Sequence, residues 1–354
     1  MSGRGKSRAG ALLGAIWRRL DASLHRARLR SRTRHLHGPR RVHLRDDDCA
    51  MVSMVRDAAY FIDELIRHHQ ALGVRHILLI DNGSEDDTVA RAQKYDNVTI
   101  LRNTLPVARY ETLFRSVLPK RVFSGGWILF VDSDEMLTLP AAREGMLADL
   151  LRYCNRMGHT AVVAQMLDMI SARPLAETRA LSYRDSLDAF SYYSLQNIDR
   201  MPFDSTGIEI HWFLSHNTNT NPAVMIHHGG IRYTLFGEWC CLTKQPLVRN
   251  LPGVILSAHP HCAQNVTYAD LTILLRHYKL CGDLPGRDRR QVALGTWGHG
   301  EDRARVEKLD DDAGFVLDGP GRARFGGPGP LLDAGFLVRS DRAAAELKLG
   351  PAGD

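Results

Sequence analysis

Between residues 49 and 131 the chain alternates short, nearly uninterrupted apolar runs with stretches in which apolar positions recur every three or four residues. The run Cys49–Val55 predicts a buried strand, residues 58–72 an amphipathic helix, and residues 76–80 a second buried strand. Gly73 stands where a helix is commonly closed by a left-handed residue. A helix is expected over 86–95, a strand over 98–101, a helix over 109–117 and a strand over 127–131. Alternation of this kind implies an α/β fold, a mostly parallel sheet flanked by helices that receives ligands at the carboxyl ends of its strands. Past residue 170, Asn-, Asp- and Ser-rich stretches at 196–205 and 216–221 predict long loops in an irregular C-terminal region, where binding specificity commonly resides. A helix over 268–280 is expected to close the domain before glycine and proline density rises. The organisation read from this pattern is an N-terminal arm over 1–45, a main α/β domain over 46–285 and a loosely ordered tail over 286–354.

The 354 residues, 44% hydrophobic and 24% charged, suffice for a sizeable core. The net charge of +6 is unevenly placed: residues 1–41 carry twelve Lys or Arg against Asp21 alone, a sum of +11, which leaves −5 for the rest. An acidic body with one basic arm argues against a nucleic-acid partner, which would require positive charge spread over a folded face. In the arm, Leu13, Ile16, Trp17, Leu20 and Leu24 share a helical face bordered by arginines. That pattern suits peripheral contact with an anionic membrane, a solvated tail or an Arg-rich targeting segment. No apolar run reaches the ~18–20 residues a bilayer demands, and no secretory signal is evident. Six cysteines without a CxxC pair indicate neither a zinc site nor a disulfide framework. The expected location is cytoplasmic, with the arm suited to the inner membrane face.

Two segments carry chemistry. Asp81-Asn82-Gly83-Ser84-Glu85-Asp86 follows a predicted buried strand and precedes a helix. A carboxylate there can accept hydrogen bonds from a nucleotide base or ribose, and the same residues also make a well-capped turn. Asp132-Ser133-Asp134-Glu135 follows the apolar run 127–131. Acids this close repel one another unless a cation or a base neutralises them, and a hard divalent ion, manganese or magnesium, suits two carboxylates at a strand end. A plain acidic turn is the alternative.

Together the segments resemble family 2-like glycosyltransferases of the GT-A fold, a Rossmann-like architecture. The resemblance covers 49 to about 140 well, and patchily to about 280. It includes the helix end His69-Gln70-Ala71-Leu72-Gly73, the loop from Asp81, the Asp132-Ser133-Asp134 motif, Lys244-Gln-Pro-Leu-Val-Arg249 and Ser257-Ala-His259. It implies a metal-dependent, inverting transfer of sugar from a nucleotide-sugar donor to a glycan, lipid-linked or small-molecule acceptor. Asp81, Asn82 and Ser84 would then serve the nucleotide, flanked by Arg56 and Asp57. Asp132 would bind ribose and metal, Asp134 metal, and His259 would complete the metal shell or remain an ordinary loop histidine.

Such a reaction lowers its barrier by neutralising charge on the departing diphosphate, a task for the ion with Lys244 or Arg249 beside it, unless these are surface salt bridges. The acceptor hydroxyl needs a carboxylate base. Asp185, Asp188, Asp204, Glu209 and Glu238 are available, with Asp204 placed first and Glu238 next. Trp212 and Trp239 are candidates for stacking on sugar rings or for packing. Two other readings remain. A nucleotidyltransferase would want a glycine-rich loop after the first strand, where Met54-Val-Arg-Asp57 has none, and a non-catalytic nucleotide-binding protein would keep the fold without turnover.

Overall fold

The computed structural model describes residues 23–294, 301–309 and 314–350. Its centre is a nine-stranded sheet. In chain order the strands are β1 (Arg34–His37), β2 (Cys49–Val55), β3 (His76–Asp81), β4 (Val98–Arg102), β5 (Trp127–Phe130), β6 (Glu135–Thr138), β7 (Ala161–Asp168), β8 (Thr243–Arg249) and β9 (Tyr268–His277). Across the sheet they run β1-β4-β3-β2-β5-β8-β7-β9-β6. Parallel pairing joins β4, β3, β2 and β5, and again β7 and β9, whereas β8 lies antiparallel to both β5 and β7. Strands β1 and β6 pair antiparallel at the two edges. Six of the nine strands therefore point one way, and the order reverses between β2 and β5, where an open α/β sheet leaves its crevice.

Strands β3 and β7 are buried along their whole length, as strands covered on both faces must be. Alternate residues serve opposite cores. Cys49, Met51, Ile77 and Leu79 pack with helix α1 (Ile62–Ala71) and α2 (Thr88–Ala92), while Ala50, Val52, Leu78 and Ile80 pack with α3 (Val107–Val122). Helix α1 buries Ile62, Leu65, Ile66 and His69, one stripe at helical spacing. It closes at Gly73, whose φ of 96° any Cβ would resist. Gly125 and Gly126, both at positive φ, turn the chain into β5, and a Cβ on Gly126 would lie 2.4 Å from Leu44 Cβ. That close approach fixes where β5 begins.

Three expectations need correction. Residues 268–280 do not form a helix: Tyr268–His277 is a strand between β7 and β6, buried at eight of its ten positions. An apolar run buried on both faces has no periodicity to tell strand from helix. The tail over 286–354 is not loose where it is described, since Leu317, Leu331, Phe336, Leu337 and Leu347 join the same core as β9 and α4 (Met146–Met157). Nor is 1–45 wholly an arm, because β1 is the sheet's edge strand and Leu29 is fully buried. Leu13, Ile16, Trp17 and Leu20 lie outside the described residues. Among the described residues no helix is long and apolar enough to cross a membrane.

Candidate active site

The carboxyl ends of the parallel strands converge on one charged edge. Strand β2 leads to Arg56 and Asp57, β3 ends in Asp81, β5 leads through Val131 to Asp132, β7 ends in Asp168, and β9 ends in His277. Antiparallel β8 enters at the same edge and delivers Lys244.

The first loops are laced together. Asp81, fully buried, accepts from the Ser84 amide at 3.0 Å and is ion-paired with Arg102. Ser84 Oγ accepts from the Asp57 amide at 3.0 Å, and Asp57 Oδ1 accepts from the Glu85 amide at 2.8 Å. The Ala58 amide donates to Thr88 Oγ1 at 2.7 Å, and the Ala59 amide to Asp86 Oδ2 at 3.0 Å. Asn82 Nδ2 donates to the carbonyls of Asn103 and Leu105 at 2.7 and 3.0 Å. Most polar groups of this segment thus hold loop to loop, shaping a rigid wall. Arg56 stays exposed, with only a 3.9 Å approach to Asp57.

Asp132 is held by two cations. Its Oδ1 accepts from Arg115 of α3 at 2.7 Å and its Oδ2 from Lys244 Nζ at 2.7 Å. Lys244 also pairs with fully buried Glu135, whose Oε2 accepts from the Asp132 amide at 2.9 Å. Burial opposes both charges, yet their mutual attraction prevails: Asp132 is held well below, and Lys244 above, the ordinary range.

Asp134 faces a histidine. His277 Nε2 lies 3.6 Å from Asp134 Oδ2, and Nδ1 lies 2.6 Å from Asp168 Oδ1. Burial alone would depress the imidazole, but the two carboxylates raise it to about 9. Asp134 is lowered in turn, against burial, chiefly by the charge of His277. Asp168 is lowered to about 2, against burial, by Arg232 at 2.9 Å and by His277. The network continues from Arg232 to Glu238 at 3.7 Å, and from Glu238 to Arg305 at 2.6 Å.

Several sequence candidates lie elsewhere. Arg249 ends β8 opposite Trp127, at the amino edge, so Lys244 alone of that pair reaches the acids. Glu238 is buried between Arg305 and Arg232, which removes it as a mobile base. His259 packs on Phe213 at 5.2 Å and its Nδ1 accepts from the His261 amide at 3.2 Å. Burial lowers it, as do Arg115 and Lys244 nearby, while His277 is the imidazole paired with Asp134. Asp204 is exposed in a turn, Glu209 is exposed, and Asp185 is tied to Ser182 at the start of a short helix. Asp188 lines a recess of about 290 Å³ with Met169, Arg276 and Tyr278, next to the ends of β7 and β9. Trp212 and Trp239 are about half exposed.

Sequence reasoning missed Arg115, Asp168, Arg232 and His277. Asp168 carried a signal, an apolar run ending in Asp, the same signature as Asp81. Among the described residues no three His, Cys, Asp or Glu side chains stand ready as a metal cluster. Magnesium-type ions often take only one or two carboxylates and complete their shell with substrate phosphates, so a preformed triad is not required. His277, raised to about 9, stands as a cation between Asp168 and Asp134, and it would have to give up the proton facing Asp134 to serve as a metal ligand. Asp134 and a deprotonated His277 are thus the donors that a divalent ion completed by substrate phosphates would use.

No family model matches the chain. No curated protein matches it either. Among solved structures, a mannosyltransferase from Pyrobaculum calidifontis, determined in complex with GDP-Man and Mn2+, is 16% identical over 33% of this chain, with a TM-score of 0.25. The chain spans about a third (34%) of that protein, and the functional reading rests on the site's own geometry.

Proposed function

We propose that the chain is a glycosyltransferase of the GT-A type that moves a sugar from a nucleotide-sugar donor to an acceptor hydroxyl. The observation that carries this reading is the charged carboxyl edge. Carboxylates and cations from five parallel strands and β8 surround the point where strand order reverses, the place an open α/β sheet offers a nucleotide. The rigid wall built by Asp81, Ser84 and Asp57 suits the nucleoside, with Arg56 free to reach a phosphate.

Asp134 and His277 would hold a manganese or magnesium ion, with Asp132 beside them. When bound, that ion acts as a Lewis acid on the diphosphate. Lys244 and Arg115, fixed by Asp132, present preorganised positive charge where the glycosyl–oxygen bond breaks and charge grows on the leaving phosphate. The acceptor oxygen forms the new bond to the sugar carbon and its proton passes to an exposed carboxylate. In this reading the base comes from the segment bearing Asp204 and Glu209. Both side chains are exposed and can reach a bound acceptor.

Slow hydrolysis of UDP-, GDP- and dTDP-sugars with manganese tests the proposal. Release of nucleoside diphosphate that Asp134→Ala abolishes supports it. Cleavage to nucleoside monophosphate and sugar 1-phosphate instead, or no turnover with any donor, overturns it.

A further inference from the structure

The amino side of the sheet carries a second charged feature that sugar transfer does not use. Val42 and His43 pair in parallel with Phe123 and Ser124, which brings Arg40 and Arg41 alongside Lys120 and Arg121. The four side chains line a cleft of about 500 Å³, and no carboxylate shares the lining. That volume is typical of a small-ligand site. Lys120 donates to the Val254 carbonyl at 2.9 Å, which leaves two of its ammonium hydrogens for another acceptor. Arg40, Arg41 and Arg121 have no acidic partner among the described residues. His35, also in the lining, has Nε2 buried without a hydrogen-bond partner.

A helix C-terminus favours cations, which alone would account for Lys120 and Arg121 at the end of α3. It does not account for Arg40 and Arg41, which come from a different segment and add like charge to the same cleft. Four cations held together from two segments without a carboxylate in the lining are the arrangement that a phosphate's oxygens satisfy with charge-assisted hydrogen bonds. Exposed Arg26, Arg28, Arg30 and Arg32 lead along helical residues 23–32 to Thr33 in the cleft wall.

We propose that this cleft binds a phosphate group, carried either by an anionic lipid headgroup or by a soluble phosphate. The full chain is tested by co-sedimentation with phosphatidylcholine vesicles with and without phosphatidylglycerol, and by calorimetry with inorganic phosphate. The paired substitution Arg41→Ala with Arg121→Ala removes one cation from each segment at exposed positions, and Ser124→Glu places a negative charge in the lining. Either change should weaken binding about tenfold or more. Loss confined to the vesicle assay identifies a lipid headgroup, and loss of inorganic phosphate binding identifies a soluble ligand. Absence of binding in both assays overturns the proposal, as does binding that neither variant weakens, which would assign attraction to the basic arm alone.

Discussion

His277 places Nδ1 2.6 Å from Asp168 and turns Nε2 toward Asp134 at 3.6 Å. A carboxylate behind a histidine fixes its ring orientation, so in the proposed metal site Asp168 positions His277. Asp168→Asn should keep the hydrogen bond but weaken manganese binding by about 10- to 100-fold. Calorimetric titration with manganese and a nucleoside diphosphate checks this, and unchanged affinity would remove Asp168 from the account.

Among the described residues Lys244 is the only cation paired with Glu135, which is fully buried. Lys244→Met would leave that carboxylate uncompensated, a loss of about 3–5 kcal/mol of stability by the measure of broken buried pairs. Denaturant unfolding gives the value, and the double variant with Glu135→Leu should recover a large part of it. A single variant as stable as wild type would mean Glu135 is not buried as described.

Arg305 is fully buried among Glu238, Asp288 and Asp302 and ties residues 301–309 to the body. Arg305→Met should destabilise the chain by about 3–5 kcal/mol. Limited proteolysis should then cut first near 301–309. Cleavage elsewhere, with this segment still protected, would contradict the anchoring role.

Acid should destabilise the fold well above the carboxylate range. Burial depresses His68 and His76 to about 4, and His69 and His227 to about 3. These imidazoles stay neutral in the folded chain while the unfolded chain takes up protons as pH falls below about 6.5. The unfolded state then binds more protons, so stability is lost from about pH 6.5 down toward 3 and regained as pH rises. Thermal unfolding at pH 7 and pH 5 measures it, and equal midpoints would contradict the burial of these rings.

The first half of the fold was legible because its strands are apolar runs broken by loops with distinct polar signatures. Asp81 and Asp132 each follow such a run, so their place at the carboxyl edge could be read directly. His277 could not, because Tyr268–His277 reads equally as a helix and its partner Asp134 is 143 positions away in the chain. Glu238 read equally as a base and as a structural acid paired with an arginine, since nothing local revealed that Arg305 and Arg232 would close on it. Lys244 and Arg249 looked equivalent, but a strand puts residues five apart at opposite ends, roughly 16 Å away from each other.

The central claim is that Asp134 and His277 hold a divalent ion against a nucleoside diphosphate. Calorimetric titration of the wild-type chain with UDP, GDP and dTDP, with and without manganese, tests it most directly. The account predicts manganese-dependent binding of at least one nucleotide that disappears in Asp134→Ala. No binding of any of the three, or binding that Asp134→Ala leaves intact, would contradict it.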